Sequence, residues 1–207
     1  MGDAMAGDAS QTIPLFPLSV VLFPGGPLKL RIFETRYVDM VGRCMRESQP
    51  FGVVLLIEGR EAGGPAVTAP IGTAARIVDF EQLKDGLLGI TALGERSFRI
   101  VARERQADGL NIAEVDWLPL PDPAAVPAEG AHLVKLLQYA LPQLQPLYDL
   151  TAAQYEDAGW VSARLVEILP LPLVEKQHCL EMAESLARLQ YLSSLVTIEM
   201  TGASDAQ

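Results

Sequence analysis

Reactive side chains are sparse in this sequence, and their spacing suits little chemistry. His132 and His178 are the two histidines, and Cys44 and Cys179 the two cysteines. A metal site needs three or four ligands, and no His/Cys/Asp cluster here has ligand spacing. His178 and Cys179 are adjacent, and on a helix adjacent side chains diverge by about 100°. That is poor geometry for a thiol–imidazole pair. Each cysteine lies in a helical apolar pattern with no CxxC, so both read as reduced core thiols. A phosphate-cradling GxxxxGK loop needs a Gly-Lys pair. The four lysines follow Leu28, Leu83, Val134 and Glu175, so that pair does not occur. Glu156-Asp157 could be taken as an acid pair, but carboxylates just before Trp160 better suit the positive end of a helix. Arg31, Glu34, Arg36 and Arg96 are charged residues set within otherwise apolar, motif-like stretches. They are expected to pin a strand-to-helix corner through ion pairs and hydrogen bonds. Ligand contact is the rival reading, because structural networks mimic functional ones.

The stretch Ile13–Tyr37 must position most of these groups. Pro14 and Pro17 cannot donate to a sheet ladder, so the first extended segment is expected at an edge. Pro24-Gly25 reads as a type II turn, with Pro presetting φ and Gly accepting positive φ. Leu28, Leu30 and Ile32 alternate with Lys29 and Arg31, as in a half-buried strand. Tyr37, Met40, Val41, Cys44 and Met45 then recur at helical spacing. Phe33 and Tyr37 are read as core. The helix should run from about Glu34 to Ser48, with Pro50 forcing an exit.

Phe51–Ile57 is a continuous apolar run, suited to a strand buried on both faces. Glu58–Pro70 reads as a loop from its Gly and Pro content, and Ile71–Leu83 as a strand. Asp85-Gly86 is a hairpin signal in which both turn residues must tolerate positive φ, and Asp108-Gly109 is a second hairpin turn. Leu87–Ala92, Arg96–Arg103 and Asn111–Leu118 have strand character. Short strands joined this way favour an antiparallel meander closing toward a small barrel.

Residues 119–127 are proline-rich and read as a stiff linker. Beyond them the period is helical. Leu133, Leu136, Leu137, Ala140, Leu141 and Leu144 form one stripe, which Pro142 must end or kink. Asp157–Leu169 is expected as a second helix with Trp160, Val161, Leu165, Ile168 and Leu169 inward. Val174–Val196 is expected as the longest helix. Its buried side would carry Cys179, Met182, Ala183, Leu186 and Leu189, and its solvated side Glu175, Glu181, Glu184 and Arg188. Residues 200–207 should fray. The expected organisation is a disordered tail over 1–12, a β domain over 13–118, the linker over 119–127 and helices over 128–199.

At 207 residues the chain can bury roughly 70% of its unfolded surface, and 49% of its residues are hydrophobic. Its net charge is −10. A chain so acidic repels phosphate backbones and anionic lipid, and no block of Lys and Arg offsets that. No apolar run approaches the ~20 residues of a membrane span. Residues 1–12 resemble no signal peptide, and Ala6 stands where N-myristoylation needs Ser or Thr. A soluble cytoplasmic protein is expected.

A family resemblance now emerges from several fragments in order. These are Pro14-Leu15-Phe16-Pro17-Leu18, Leu22-Phe23-Pro24-Gly25, and Leu30-Arg31-Ile32-Phe33-Glu34 with Arg36-Tyr37 and Met40. Phe51-Gly52-Val53, Ile71-Gly72-Thr73 with Ala75 and Ile77, Asp85-Gly86, and Gly94-Glu95-Arg96-Ser97-Phe98-Arg99-Ile100 follow. In the last of these, Ser97 stands where a second Arg is common. The helical half adds Trp160-Val161, Arg164-Leu165, Glu167-Ile168-Leu169-Pro170, Lys176-Gln177 and Leu180-Glu181-Met182. Together they resemble the N-terminal substrate-recognition domain of the Lon protease. The resemblance implies an α+β chain: an N-terminal, mainly antiparallel PUA-like β pseudo-barrel with one helix, followed by a C-terminal helical bundle. It implies recognition without catalysis, because the chain ends where an ATPase would begin and a Ser-Lys peptidase dyad would need a further domain.

The partners so implied are unfolded or degron-bearing polypeptides, together with a protease or chaperone. Nucleic acid, membrane and cofactors are not expected, and the oligomeric state is left open. Binding an unfolded chain requires an exposed apolar groove or sheet edge. The candidate peptide-binding residues are Leu15, Phe16 and Leu18 on the proline-punctuated segment, with Arg31, Phe33, Glu34, Arg36 and Tyr37 at the corner. The loop Glu58–Pro70 is a second candidate. Two alternatives compete. Nucleic-acid binding, found among PUA-like barrels, is opposed by the charge. An independent hydrolase lacks a nucleophile–base constellation.

Overall fold

The computed structural model describes residues 11–61 and 66–204. The expected tail therefore lies mostly outside the described residues, but Gln11 and Thr12 already belong to the first strand. The chain divides into two compact units, Met1–Leu120 and Pro121–Gln207.

The first unit holds β1 (Gln11–Leu18), β2 (Pro27–Ile32), α1 (Thr35–Glu47), β3 (Phe51–Glu58), β4 (Val67–Gln82), β5 (Leu88–Arg105) and β6 (Asn111–Trp117). The sheet order is β2-β5-β4-β3-β1-β6, and β5 also pairs with β6. All pairings are antiparallel except β1 with β3. Leu87–Ala92 and Arg96–Arg103, read as separate segments, fall within the single long strand β5.

The edge position expected of β1 is corrected by its two ladders. β1 pairs with β6 over Gln11–Leu15 and with β3 over Leu15–Leu18. The ladders overlap only at Leu15, so each proline has one open flank. Pro14 and Pro17 are an odd number of residues apart, so their nitrogens face opposite flanks. Each can turn its missing donor to the side without a ladder, and a strand with two prolines is accommodated inside the sheet. Both faces of β1 are covered. Ile13 and Leu15 join a core with Val54, Phe98 and Val115. Phe16 and Leu18 join another with Tyr37, Met40, Cys44 and Phe51.

The turns follow local chemistry. Gly26 N–H donates to Phe23 C=O at 2.9 Å, and Gly25 has φ +74, as a type II turn over Pro24-Gly25 requires. The two Asp-Gly hairpins differ from expectation. Gly86 and Gly109 have positive φ, whereas Asp85 and Asp108 do not. Each aspartate instead accepts the N–H two residues on, from Leu87 at 3.2 Å and Leu110 at 2.9 Å. That side-chain bond holds the turn without a left-handed Asp. α1 ends at Ser48, whose φ of +54 turns the Gln49 N–H back onto Cys44 C=O at 3.0 Å. At Gly94 a Cβ would stand 2.3 Å from Phe23 C=O, so the approach of β5 to the Pro24 turn requires glycine there.

The second unit holds α2 (Ala131–Ala140), α3 (Ala158–Ile168), α4 (Leu173–Glu181) and α5 (Ser185–Ser204), with 3-10 turns at Ala128–Gly130, Leu141–Leu144 and Leu147–Leu150. Asp157 caps α3, accepting Trp160 N–H at 2.6 Å, which accounts for the Glu156-Asp157 pair as a helix start. α2 passes into a 3-10 turn where Pro142 removes the helical donor. The single helix expected over Val174–Val196 is broken: Met182 is extended (ψ 115) and α5 begins at Ser185. The break also corrects the assigned faces. Arg188, expected in solvent, is buried, while Ala183 and Leu186 are exposed. Arg188 Nε donates to Ser162 Oγ at 2.9 Å, with longer bonds to Gly159 C=O and Met182 C=O. Met182 C=O, just past the end of α4, is an acceptor that an unbroken helix would withhold, and α3 adds Ser162 Oγ and Gly159 C=O.

Candidate functional site

The strand-to-helix corner brings some of the candidate residues to the surface and buries others. Leu15, Phe16, Leu18 and Tyr37 are buried. Phe16 and Tyr37 stack face to face with ring centroids 4.0 Å apart, and burial raises the Tyr37 phenol pKa despite the neighbouring Arg36. Phe16, Leu18 and Tyr37 form the floor of the corner, whereas Leu15 packs in the core on the other face of β1, and none of the four presents a surface to a ligand.

Phe33 is 63% exposed, which corrects its reading as core. The reason lies in strand parity. Leu28, Leu30 and Ile32 face the core, so Lys29, Arg31 and then Phe33 take the outward positions. Glu34 is extended and begins α1 directly afterwards, so the chain turns before Phe33 can be covered.

Arg36 acts structurally. Its guanidinium donates to Gly109 C=O at 2.8 Å, pairs with Glu34 at 2.9 Å and lies 4.7 Å over the Tyr37 ring. It ties the start of α1 to the β5–β6 hairpin. Arg31 pairs with Asp85 on the β4–β5 hairpin. Arg96 Nε donates to Leu118 C=O at 2.9 Å and its guanidinium lies over Trp117. The pinning of the strand-to-helix corner read from the sequence is visible at Arg36 with Glu34 and, at the end of β2, at Arg31, whereas Arg96 ties β5 to residues 117 and 118 instead.

Two features went unread. The first is the flank of β2. Among the described residues β2 pairs with β5 alone, and on one sheet face a cavity of about 500 Å³ spans β2, β5 and the β4–β5 hairpin, lined by Lys29, Arg31, Glu81, Leu83, Lys84 and Gly89 among others. Its sequence signal was the lysine–arginine alternation on a short strand, which is how open edges are marked. The second is the buried arginine pair in the helical unit. Arg164 is fully buried and its Nε lies 2.8 Å from Glu167. Its position between Val161 and Leu165 on an apolar face was the available clue.

The possible reactive groups stay apart. Cys44 and Cys179 are both buried, and burial pushes each thiol up to about 11. His178 is exposed and its ring meets Tyr191 edge-on, while Cys179 points inward. Among the described residues no three His, Cys, Asp or Glu side chains gather as a metal site, and no helix is long and apolar enough to cross a membrane.

The chain is α+β, with a mixed sheet in one unit and helices in the other. The family model for the ATP-dependent protease La (LON) substrate-binding domain matches residues 12–197, and the chain belongs to that family. It is similar to a Lon N-terminal domain protein from Xanthomonas campestris, at 33% identity and TM-score 0.75, covering 89% of this chain and 98% of that one. The N-terminal domain of a Mycobacterium avium complex Lon protease shares the fold at TM-score 0.63 and 17% identity, covering 88% and 96%. Lon protease 2 of Myxococcus xanthus is 26% identical over 197 residues, which is 91% of this chain and 24% of that protein. Cereblon of Danio rerio is 33% identical over 123 residues, 56% of this chain and 28% of that protein. The chain spans 23% to 43% of the length of these and other curated relatives that it matches.

Proposed function

We propose that this chain is a non-catalytic polypeptide-recognition module. It would hold unfolded or degron-bearing segments in the cytoplasm, in the company of a separate protease or chaperone. The observation that carries this reading is the match of a substrate-binding domain family to nearly the whole chain. The proposed architecture is a PUA-like β pseudo-barrel, a short proline-rich linker and a helical bundle. The cyclic pairing of β5 through β4, β3, β1 and β6 back to β5 supports the first part. The absence of a Gly-Lys pair in these 207 residues supports a role without nucleotide hydrolysis by a phosphate loop.

Of the eight candidate residues, the proposed contact surface keeps Arg31, Phe33 and Glu34. Phe16, Leu18 and Tyr37 support it from below, Leu15 packs on the other face of β1, and Arg36 fixes its angle. An exposed aromatic ring next to a charged rim is the composition that binding hot spots favour. The test is a fluorescence-anisotropy titration of a reduced, carboxymethylated protein client against the full chain. Its native disulfide-bonded form serves as control. Saturable micromolar binding of the unfolded form alone is expected. No binding at high micromolar concentration overturns the reading.

A further inference from the structure

The unpaired flank of β2 carries a specific geometry. Gly94 N–H donates to Gly26 C=O at 2.8 Å, which sets the parity of the β2–β5 ladder. Its register continues as Leu28↔Ala92, Leu30↔Ile90 and Ile32↔Leu88. In an antiparallel ladder alternate residues turn both backbone groups to the partner and the others turn both away. Leu28, Leu30 and Ile32 therefore bond toward β5. Lys29 and Arg31 each present one N–H and one C=O to the side where no strand lies.

Side chains divide by the same parity. Leu28 and Leu30 are half-buried against the core. Lys29 and Arg31 stand on the opposite face, where the cavity opens. Gly89 makes that hollow, since a Cβ there would lie 3.0 Å from Leu83. Arg31 is engaged with Asp85. Lys29 and Lys84 then face Glu81 across the cavity, a basic balance in a chain of net charge −10. Such cations guard an edge against pairing with another like it, and the strand they admit is one bearing acids.

We propose that the open flank of β2 accepts an extended polypeptide segment as an added strand. The segment carries acidic side chains at the alternate positions beside Lys29 and Arg31, and apolar side chains between them, beside Leu28 and Leu30. This rests on the polypeptide-recognition reading and names its site and substrate class.

The test uses the full chain and a labelled peptide of alternating Glu and Val. Companion peptides replace Glu by Lys, or carry N-methyl groups at every second residue in either of the two frames. The Lys29→Pro variant deletes an N–H that no ladder bond uses, and a thermal melt checks that it folds. The Glu–Val peptide should bind. Lys29→Pro should weaken it up to about tenfold, the scale of one well-made hydrogen bond, and one N-methyl frame, which removes the donors to both Lys29 and Arg31 C=O, up to about a hundredfold. The other frame should bind normally, and the Lys–Val peptide should bind more weakly than Glu–Val. Equal binding of both frames overturns the added strand, as does a folded Lys29→Pro that binds like the parent. So does failure of the Glu–Val peptide with a chain that still binds the unfolded client, and there the recognition reading survives. Failure of the client itself overturns both. A concentration-dependent dimer abolished by Lys29→Pro would assign the flank to a second copy of this chain and overturn the proposal.

Discussion

Phe16 and Phe33 lie at opposite ends of exposure within one corner, and replacing each by alanine separates packing from recognition. Phe33 has only about a third of its surface removed from water. Full burial of a Phe is worth about 1.5–3 kcal/mol, so Phe33→Ala should cost about 0.5–1 kcal/mol of stability. Phe16 is 6% exposed and stacked on Tyr37. Its truncation loses transfer energy and leaves a cavity, about 3–5 kcal/mol in total. At about 4 °C per kcal/mol, the first variant should melt about 2–4 °C below the parent and the second about 12–20 °C below. The two tryptophans make a clean assay possible. Trp117 lies in the first unit and Trp160 in the second, so a Trp160→Phe background lets Trp117 fluorescence report the β unit alone. In the client-binding titration the order should reverse. Phe33→Ala should weaken binding about 5- to 30-fold, as for an anchor worth about 1–2 kcal/mol. Equal destabilisation by the two substitutions would refute the parity argument that places Phe33 outside. Unchanged client affinity in Phe33→Ala would remove that ring from the contact surface.

Further outcomes follow from buried groups. Glu167→Ala leaves the fully buried Arg164 guanidinium without its carboxylate and should cost about 3–5 kcal/mol, read by Trp160 fluorescence in urea. The double variant Arg164→Leu/Glu167→Leu should recover most of that loss, and a double variant as unstable as the single would contradict it. Both thiols should resist a disulfide reagent at pH 8 until urea unfolds the chain. Unfolded thiols ionise from their ordinary value of 9.0, whereas the folded ones hold their protons to about 11. The unfolded chain therefore binds fewer protons in that window, and stability should fall as pH rises from 9 to 11. Cys44→Ala should flatten that fall in the β unit, and an unaltered slope of urea midpoint against pH would count against the burial argument.

Much of the fold was legible because its signals are local. The Pro24-Gly25 turn, the amphipathic face of α1, the Asp157 cap and the continuous apolar run of β3 each depend on a few neighbouring residues. The errors arose where distant partners decide. Two prolines argued for an edge, but the ladder offsets around Leu15 make room for both inside the sheet. The apolar stripe of Val174–Val196 argued for one helix, but acceptors on α3 and at Met182 draw Arg188 inward and the helix breaks. Phe33 looked like core by residue type. Strand parity and the immediate start of α1 put it in water.

The candidate site was legible to a smaller degree. The pinning roles of Arg31 and Arg36 follow from charge and position, whereas Arg96 serves the end of β5 and not the corner. The sequence also held the alternation of Lys29 and Arg31 with leucines, but gave no means of telling which flank of β2 would stay unpaired.

By itself, the amino-acid order determined the segments, their turns and the family, because backbone preference and hydrophobic period act over a few residues. Tertiary structure alone decided which strand keeps an open flank, which aromatic ring meets solvent and which arginines are buried. Those outcomes depend on register and on partners far away in the chain: a shift of one residue exchanges the faces of a strand, and only a ligand from another element makes a buried charge tolerable.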